Sequence, residues 1–404
     1  MKKAYVRTYG CRQNHSDSEK IVAALELQGY AIVGEVELAD LIIFNTCAVR
    51  KGAEERVYGN IGALKPLKKQ KPHIKIAVCG CMAMRAEVQE RLRKSYPYIN
   101  LVFGTNDIHN LSENLEKAEK KRIFLQNNDE NVHELQSRHE HKVIANVPIM
   151  YGCNNFCSYC IVPLTRGRER SRQASAIIDE IRGLAVKGYK EVLLLGQNVN
   201  SYHSPPSLRG GTQSVPTKQS SDFPDLLLRI SQIDGIKRIR FISSHPKDFS
   251  DMLLDVMADS DNICKQLHLP FQAGSNKVLA DMNRKYTREH YIGLIEKARA
   301  KIPNLTITSD VIVGFPTETQ DDFEDTYRLV EDLRFDGLFT FVYSKRSGTS
   351  AAEMAFVLSK EQIKLWITKF VFPPPQSALN PPGVAVPNPP KEMSRSCAPS
   401  QIGV

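Results

Sequence analysis

At 404 residues, 42% hydrophobic and 25% charged, the chain has the balance of a soluble globular protein and room for roughly two to three domains. That excludes a wholly disordered chain, a collagen and a disulfide-dense miniprotein, and apolar runs such as residues 41–44 fall far short of the ~18 residues a membrane span needs. A net charge of +9 suits a polyanion such as RNA without requiring one.

The basic start Met1-Lys2-Lys3 has no apolar core of signal-peptide length behind it, so a cytoplasmic protein with no membrane contact is expected. Residues 3–9 read as a strand. Ser16-Asp17-Ser18-Glu19 reads as a capping box that opens an amphipathic helix to about Gln28. Residues 40–45 read as a buried strand, with a helix from near Ala53. Residues 74–78 give a third strand and 83–94 its helix, and residues 101–103 give a short fourth strand. This alternation predicts an α/β domain over residues 1–115, a doubly wound parallel sheet. Residues 116–146 are rich in Glu, Lys, Asn and His and read as a linker or peripheral structure.

From residue 147 the pattern resumes. Candidate strands are 148–151, 191–195, 238–242, 266–269, 306–313 and 338–343, with helical patterns between them. Six strand–helix units over 147–350 predict a partial (βα)6 barrel, two units short of a complete one. Residues 204–221, loaded with Pro, Gly, Ser, Thr and Gln, read as a disordered insertion. Residues 351–404 read as the barrel's end followed by a proline-rich tail without periodicity.

Nine cysteines in a cytoplasmic chain point to metal or redox chemistry rather than disulfides. Cys153, Cys157 and Cys160 have the spacing C-x3-C-x2-C, just after the first barrel strand. Three thiolates on one loop can hold three irons of a cubane cluster and leave the fourth iron open. Tetrahedral zinc would need a fourth ligand, which His203 or His245 could supply. Cys11, Cys47 and Cys81 each follow a predicted strand of the first sheet. Parallel strands end at one edge, where open α/β sheets build their sites, so these three can converge on a second cluster. As single residues they read equally as small buried hydrophobes. Cys79 lies within its strand and reads as packing, while Cys264 and Cys397 have no supporting context.

Polar residues also gather at the barrel strand ends: Gly196-Gln197-Asn198, Ser243-Ser244-His245, Gln272, and Asp310 in the strand that leads to Gly314-Phe315-Pro316-Thr317-Glu318. Barrel ligands bind at that edge. Arg166-Gly167-Arg168-Glu169-Arg170-Ser171-Arg172 follows the cysteine loop and reads either as a contact for phosphate or carboxylate or as a solvated basic loop.

The run Tyr151-Gly152-Cys153-Asn154-Asn155-Phe156-Cys157-Ser158-Tyr159-Cys160, followed by Arg166-Gly167-Arg168-Glu169, resembles the methylthiotransferases of the radical S-adenosylmethionine superfamily. Thr8-Tyr9-Gly10-Cys11, Asn45-Thr46-Cys47 and Gly80-Cys81 are similar to the N-terminal cluster motifs of that family. Asn45-Thr46-Cys47-Ala48-Val49-Arg50, Phe103-Gly104-Thr105 and Ser243-Ser244-His245-Pro246 are similar to its MiaB type, which acts on isopentenyl-adenosine in tRNA. Sister types act on threonylcarbamoyl-adenosine or on a ribosomal aspartate.

The resemblance implies two 4Fe–4S clusters, one on Cys153, Cys157 and Cys160 and an auxiliary one on Cys11, Cys47 and Cys81. It implies S-adenosylmethionine as cosubstrate, for which Tyr159, Gly196, Gln197, Ser244 and Asp310 are candidate contacts by strand position. It also implies a tRNA anticodon loop as substrate and an electron donor such as flavodoxin or ferredoxin. A monomer is expected. Nothing after Phe370 resembles the small RNA-binding TRAM barrel with which the family usually ends, so weaker tRNA affinity, or a non-catalytic RNA-binding remnant, is a further expectation.

Overall fold

The computed structural model describes residues 1–49, 51–125, 131–205 and 222–371. The expected insertion lies almost wholly outside these residues, and the proline-rich tail with Cys397 lies wholly outside them.

Six parallel strands form the first sheet: β1 (Lys3–Tyr9), β2 (Ala31–Ile32), β3 (Leu41–Thr46), β4 (Lys75–Gly80), β5 (Leu101–Phe103) and β6 (Ile123–Phe124). Their order is β2-β1-β3-β4-β5-β6. Every residue of the central β3 is buried, because helices cover both faces. On one face Ile42, Phe44, Ile76 and Val78 pack with Val57 and Ile61 of α2 (Lys51–Gln70 once α1, Arg12–Leu27, is counted first) and with Val88 and Leu92 of α3 (Ala86–Ser95). On the other, Leu41, Ile43 and Ala77 pack with Ile21 and Leu25 of α1 and Leu111 and Leu115 of α4 (Leu111–Lys120). The sheet is therefore doubly wound.

Two expectations are corrected here. The helix α1 starts at Arg12 with Cys11 as its N-cap, so Ser16–Glu19 is not a capping box. Gly10, at φ 143°, turns the chain directly off β1, and the helix begins at once. Ser16, Asp17, Ser18 and Glu19 are instead buried polar residues. Asp17 and Glu19 face partners in later segments, Arg166 and His139. Second, α4 runs beyond residue 115, and β6 lies within the stretch read as linker. Two paired residues, Ile123 and Phe124 against Leu101 and Val102, are too few to leave a periodicity.

The second region begins with β7 (Ile144–Pro148), which starts four residues before the expected 148–151. The residues that follow, β8 (Met150–Tyr151), pair antiparallel with β9 (Arg170–Ser171) and frame the cysteine loop between them. Then come β10 (Glu191–Leu195), β11 (Arg238–Phe241), β12 (Gln266–His268), β13 (Thr306–Val313) and β14 (Gly337–Val342). They form two parallel three-stranded sheets, β11-β10-β7 and β12-β13-β14, and a parallel bridge between Ile239 and Ile263 links these into one arc. Val192, Leu194, Ile239, Leu267, Ile307 and Val311 face the surrounding helices in one continuous core. The helix Lys360–Val371 closes the end of the arc, its Trp366 stacked on Phe323 at 4.6 Å.

The sheet edge and the barrel mouth touch. Ile161 packs with Ala48 and Cys81, and Arg346 donates through Nη2 to the Val49 carbonyl at 2.6 Å.

Candidate active site: two cysteine triads at one interface

Strand order places β1, β3 and β4 side by side, so Cys11, Cys47 and Cys81 leave adjacent strand ends. Polar side chains lock these ends together. Asn14 donates to Asn45 Oδ1 and the Thr46 carbonyl (both 3.1 Å), and Asn45 donates back to the Asn14 carbonyl (2.8 Å). The Cys11 thiol donates to Asn14 Oδ1 at 3.2 Å, and the Cys47 thiol lies within its hydrogen-bonding reach. Cys47 Sγ accepts the Val49 N–H at 3.4 Å, and Cys81 Sγ accepts Arg166 Nε at 3.0 Å. The hydrogen bond to Cys47, then burial, pushes the Cys11 thiol up; burial raises Cys81, against the pull of Arg166. A buried thiol set of this kind ionises when a metal centre supplies the compensating charge. N–H donors aimed at two of the three sulfurs fit thiolate ligands of a cluster. Cys79 differs: it is buried in the apolar layer with Ile43 and Phe103.

The second triad sits on the loop after β8. Cys153 Sγ accepts the Asn155 N–H at 3.5 Å, and Cys157 Sγ accepts Arg284 Nη1 at 3.3 Å. Burial raises Cys153 and pushes Cys160 up to about 12, with the neighbouring thiols adding to both. The loop is pinned to the segment after β12: Ser158 N donates to the Met282 carbonyl (3.0 Å) and Asn283 Nδ2 to the Phe156 carbonyl (2.9 Å). This donor set also fits a cluster held by three thiolates. Zinc is less well served: His203 is exposed, and His245 already uses Nδ1 to accept the Lys247 N–H at 3.2 Å. Among the described residues no three Cys, His or carboxylate side chains form a ready single-ion site.

Beside this triad, the ends of β10 and β11 carry buried polar atoms without hydrogen-bond partners: Gln197 Oε1, Asn198 Oδ1, Asn200 Nδ2, Ser244 Oγ and His245 Nε2. Buried polar atoms are nearly always paired, so five at one edge mark a place for a polar ligand. The His245 ring lies 5.7 Å from that of Tyr286, which Arg284 contacts at 2.9 Å while it also holds Cys157. Burial, then Arg284 and Lys247, hold the His245 imidazole neutral, with its pKa lowered to about 2.

The five expected cosubstrate contacts are distributed unevenly. Gln197 and Ser244 belong to this unpartnered group. Tyr159 packs against the barrel core, where Arg284, Cys157 and Cys160 bear on its hydroxyl. Gly196 is packed tightly: a Cβ there would meet Met150 Cγ at 2.6 Å. Asp310 stands apart on β13, 3.5 Å from His268 Nε2, with Phe339 beside it in register.

Sequence reading missed Arg284, an isolated arginine with no motif around it, and left the Arg166–Arg172 run ambiguous. Arg168 of that run is exposed, but the two ends are not solvated. Arg166 and Arg172 are both buried, and Arg172 is held by Glu134, Glu180 and the Pro148 carbonyl. The polar Ser16–Glu19 stretch was the available signal, since it supplies the buried carboxylate for Arg166.

A cysteine triad at the mouth of a six-stranded arc, beside a polar cradle, is the arrangement of a radical S-adenosylmethionine enzyme. Residues 147–330 match the Radical SAM superfamily, and residues 3–104 match "Uncharacterized protein family UPF0004". A tRNA-2-methylthio-N(6)-dimethylallyladenosine synthase from Alkaliphilus oremlandii is 49% identical over 357 residues, 87% of this chain and 74% of that protein. The protein of the same name from Caldicellulosiruptor saccharolyticus is 49% identical over 360 residues, 87% of this chain and 73% of its own. The chain belongs to the MiaB-type tRNA methylthiotransferase family.

Among solved structures, the radical S-adenosylmethionine methyltransferase TsrM from Kitasatospora setae, determined with cobalamin and a 4Fe–4S cluster, aligns with a TM-score of 0.59 at 12% identity. The alignment covers 87% of this chain and 77% of TsrM. The cobalamin-dependent radical enzyme OxsB aligns at 0.54 and 11% identity, over 92% of this chain and 56% of its own. At these identities the likeness is one of fold. Among the described residues no helix is long and apolar enough to cross a membrane.

Proposed function

We propose that this chain is a tRNA-2-methylthio-N6-dimethylallyladenosine synthase, which replaces the C2 hydrogen of N6-isopentenyladenosine with a methylthio group. The observation that carries the reading is the pair of cysteine triads brought to one interface in a chain 49% identical to enzymes of that name.

Cys153, Cys157 and Cys160 would hold the radical cluster, and Cys11, Cys47 and Cys81 the auxiliary one. When bound, these groups would supply an electron that cleaves S-adenosylmethionine to methionine and a 5′-deoxyadenosyl radical, which takes the C2 hydrogen, together with the sulfur to be transferred, whose methyl would come from a second S-adenosylmethionine. The chain's own residues do the rest. Arg284 fixes Cys157 from the barrel side, and Arg166 fixes Cys81. Gln197, Asn198, Asn200, Ser244 and His245 offer unpaired donors and acceptors to the cosubstrate. His245 stays neutral there, and because Nδ1 accepts the Lys247 N–H, its Nε2–H can donate without adding charge. The substrate is a base in a single-stranded anticodon loop, which leaves its stack at low cost. The reductant is a small protein of the flavodoxin or ferredoxin class.

The test is mass spectrometry of nucleosides from isopentenylated tRNA incubated anaerobically with reconstituted protein, S-adenosylmethionine and reductant. The 2-methylthio nucleoside is expected. Modification of threonylcarbamoyl-adenosine or of a ribosomal aspartate instead would reassign the chain within its family.

A further inference from the structure

We infer that Arg166 is a positioning residue for the auxiliary site: from the barrel's own cysteine loop it holds the Cys81 ligand and raises the reduction potential of whatever iron–sulfur centre Cys81 binds. The inference rests on the proposed function for the presence of that centre, but the residue and its effect are read from the geometry.

Arg166 ends the short helix Val162–Arg166, which begins two residues after Cys160. Its side chain leaves the barrel and enters the N-terminal domain, where its Nε donates to Cys81 Sγ at 3.0 Å and its Nη2 donates to Asp17 Oδ2 at 2.6 Å. The residue is 3% exposed and Asp17 2%, so water replaces neither partner if one is lost. The same few residues of the loop therefore serve both triads. Cys160 belongs to one. Ile161 packs on Ala48 and Cys81 of the other, and Arg166 bonds a sulfur of that other triad.

A guanidinium keeps its proton at any working pH, and its planar fork permits two fixed bonds at once. Here that fork is shared by two partners: Nη2 is held by the Asp17 carboxylate and the neighbouring Nε points at the Cys81 sulfur. Hydrogen bonds to ligating sulfurs and net local charge are two of the levers that set iron–sulfur potentials. An N–H aimed at Sγ stabilises the reduced, more negative state and raises the potential. Asp17 opposes this by offsetting the positive charge. The two side chains should therefore move the potential in opposite directions when altered, a signature that a merely structural brace would not give.

The experiment uses the full-length chain with Cys153, Cys157 and Cys160 all changed to Ala, which leaves one cluster site. After anaerobic reconstitution, the potential is read by redox titration followed by electron paramagnetic resonance, and iron loss to a chelator is timed. Arg166→Gln is expected to lower the potential and to weaken iron retention by about 10- to 100-fold, the usual effect of removing an outer partner of a metal ligand. Arg166→Lys, which keeps the charge and loses the fork, should restore part of the potential. Asp17→Asn should raise it.

An unchanged potential and unchanged iron retention in Arg166→Gln would overturn the inference and leave the proposed function standing. Equal downward shifts in Arg166→Gln and Asp17→Asn would also overturn it, since they would mean general disruption. A parent protein that takes up no iron would overturn both this inference and the assignment of the auxiliary site.

Discussion

Replacing Gly10 with alanine tests whether the turn at the end of β1 is what brings Cys11 to Cys47. Gly10 holds φ at 143°, and a Cβ there would stand 2.5 Å from Cys47 Cβ and 2.9 Å from Asn14 Oδ1. A positive φ costs an L-residue about 1–2 kcal/mol, and crowding a packed interior costs about 1–3 kcal/mol more. The sum, about 2–5 kcal/mol, falls on the strand end that aligns the first triad. The same substitution at Gly62, exposed on α2, meets nothing within 4 Å and should stabilise the helix by about 0.5–1 kcal/mol. Urea unfolding of the apo chain followed by circular dichroism gives both shifts, and iron analysis after reconstitution gives the functional consequence. Gly10→Ala should lower the midpoint and cost about four irons per chain, while Gly62→Ala should raise the midpoint and keep them. A Gly10→Ala protein with the wild-type midpoint and full iron would refute the argument.

Other expectations follow from single observations. Glu318 is fully buried and accepts the N–H groups of Gly314 (2.6 Å) and Phe315 (3.2 Å), yet burial pushes its carboxyl up to about 7. A raised carboxyl pKa means that the folded state binds the proton more tightly. The stability it contributes is full below about pH 4.5 and is lost as pH rises to about 7, a decline of roughly 3 kcal/mol. Glu318→Gln should flatten that decline in a series of unfolding midpoints against pH. Trp366→Ala removes a fully buried ring stacked on Phe323 and should destabilise by about 3–5 kcal/mol, measured by the same unfolding assay. Cys79→Ala should leave the iron content unchanged, because Cys79 lies in the apolar layer, whereas Cys81→Ala should lose one cluster's iron.

The parts of this protein that repeat a pattern were legible in the sequence. β3 announces itself as an unbroken apolar run, and β13 alternates over eight residues. The convergence of Cys11, Cys47 and Cys81 followed from one rule, that parallel strands end at a common edge. What stayed hidden was set by tertiary contact. β2 and β6 have two residues each, and their identity as strands comes from their neighbours. Ser16–Glu19 looked like a helix cap because its polar spacing satisfies the local rule, while its polarity serves buried tertiary partners: Ser18 holds Thr8 and Asn45, Asp17 holds Arg166 and Glu19 holds His139. Arg284 reaches Cys157 from 127 residues away, a distance over which no local pattern acts.

The proposed division of labour between the two triads can be read from the two products separately. Anaerobically reconstituted wild-type chain, a Cys153/Cys157/Cys160→Ala variant and a Cys11/Cys47/Cys81→Ala variant should be incubated with S-adenosylmethionine, reductant and isopentenylated tRNA, and both 5′-deoxyadenosine and the 2-methylthio nucleoside measured. Wild type is expected to give both products, the first variant neither, and the second 5′-deoxyadenosine without the methylthio nucleoside. Methylthio product from either variant, or neither product from a wild-type chain loaded with iron, would contradict that division.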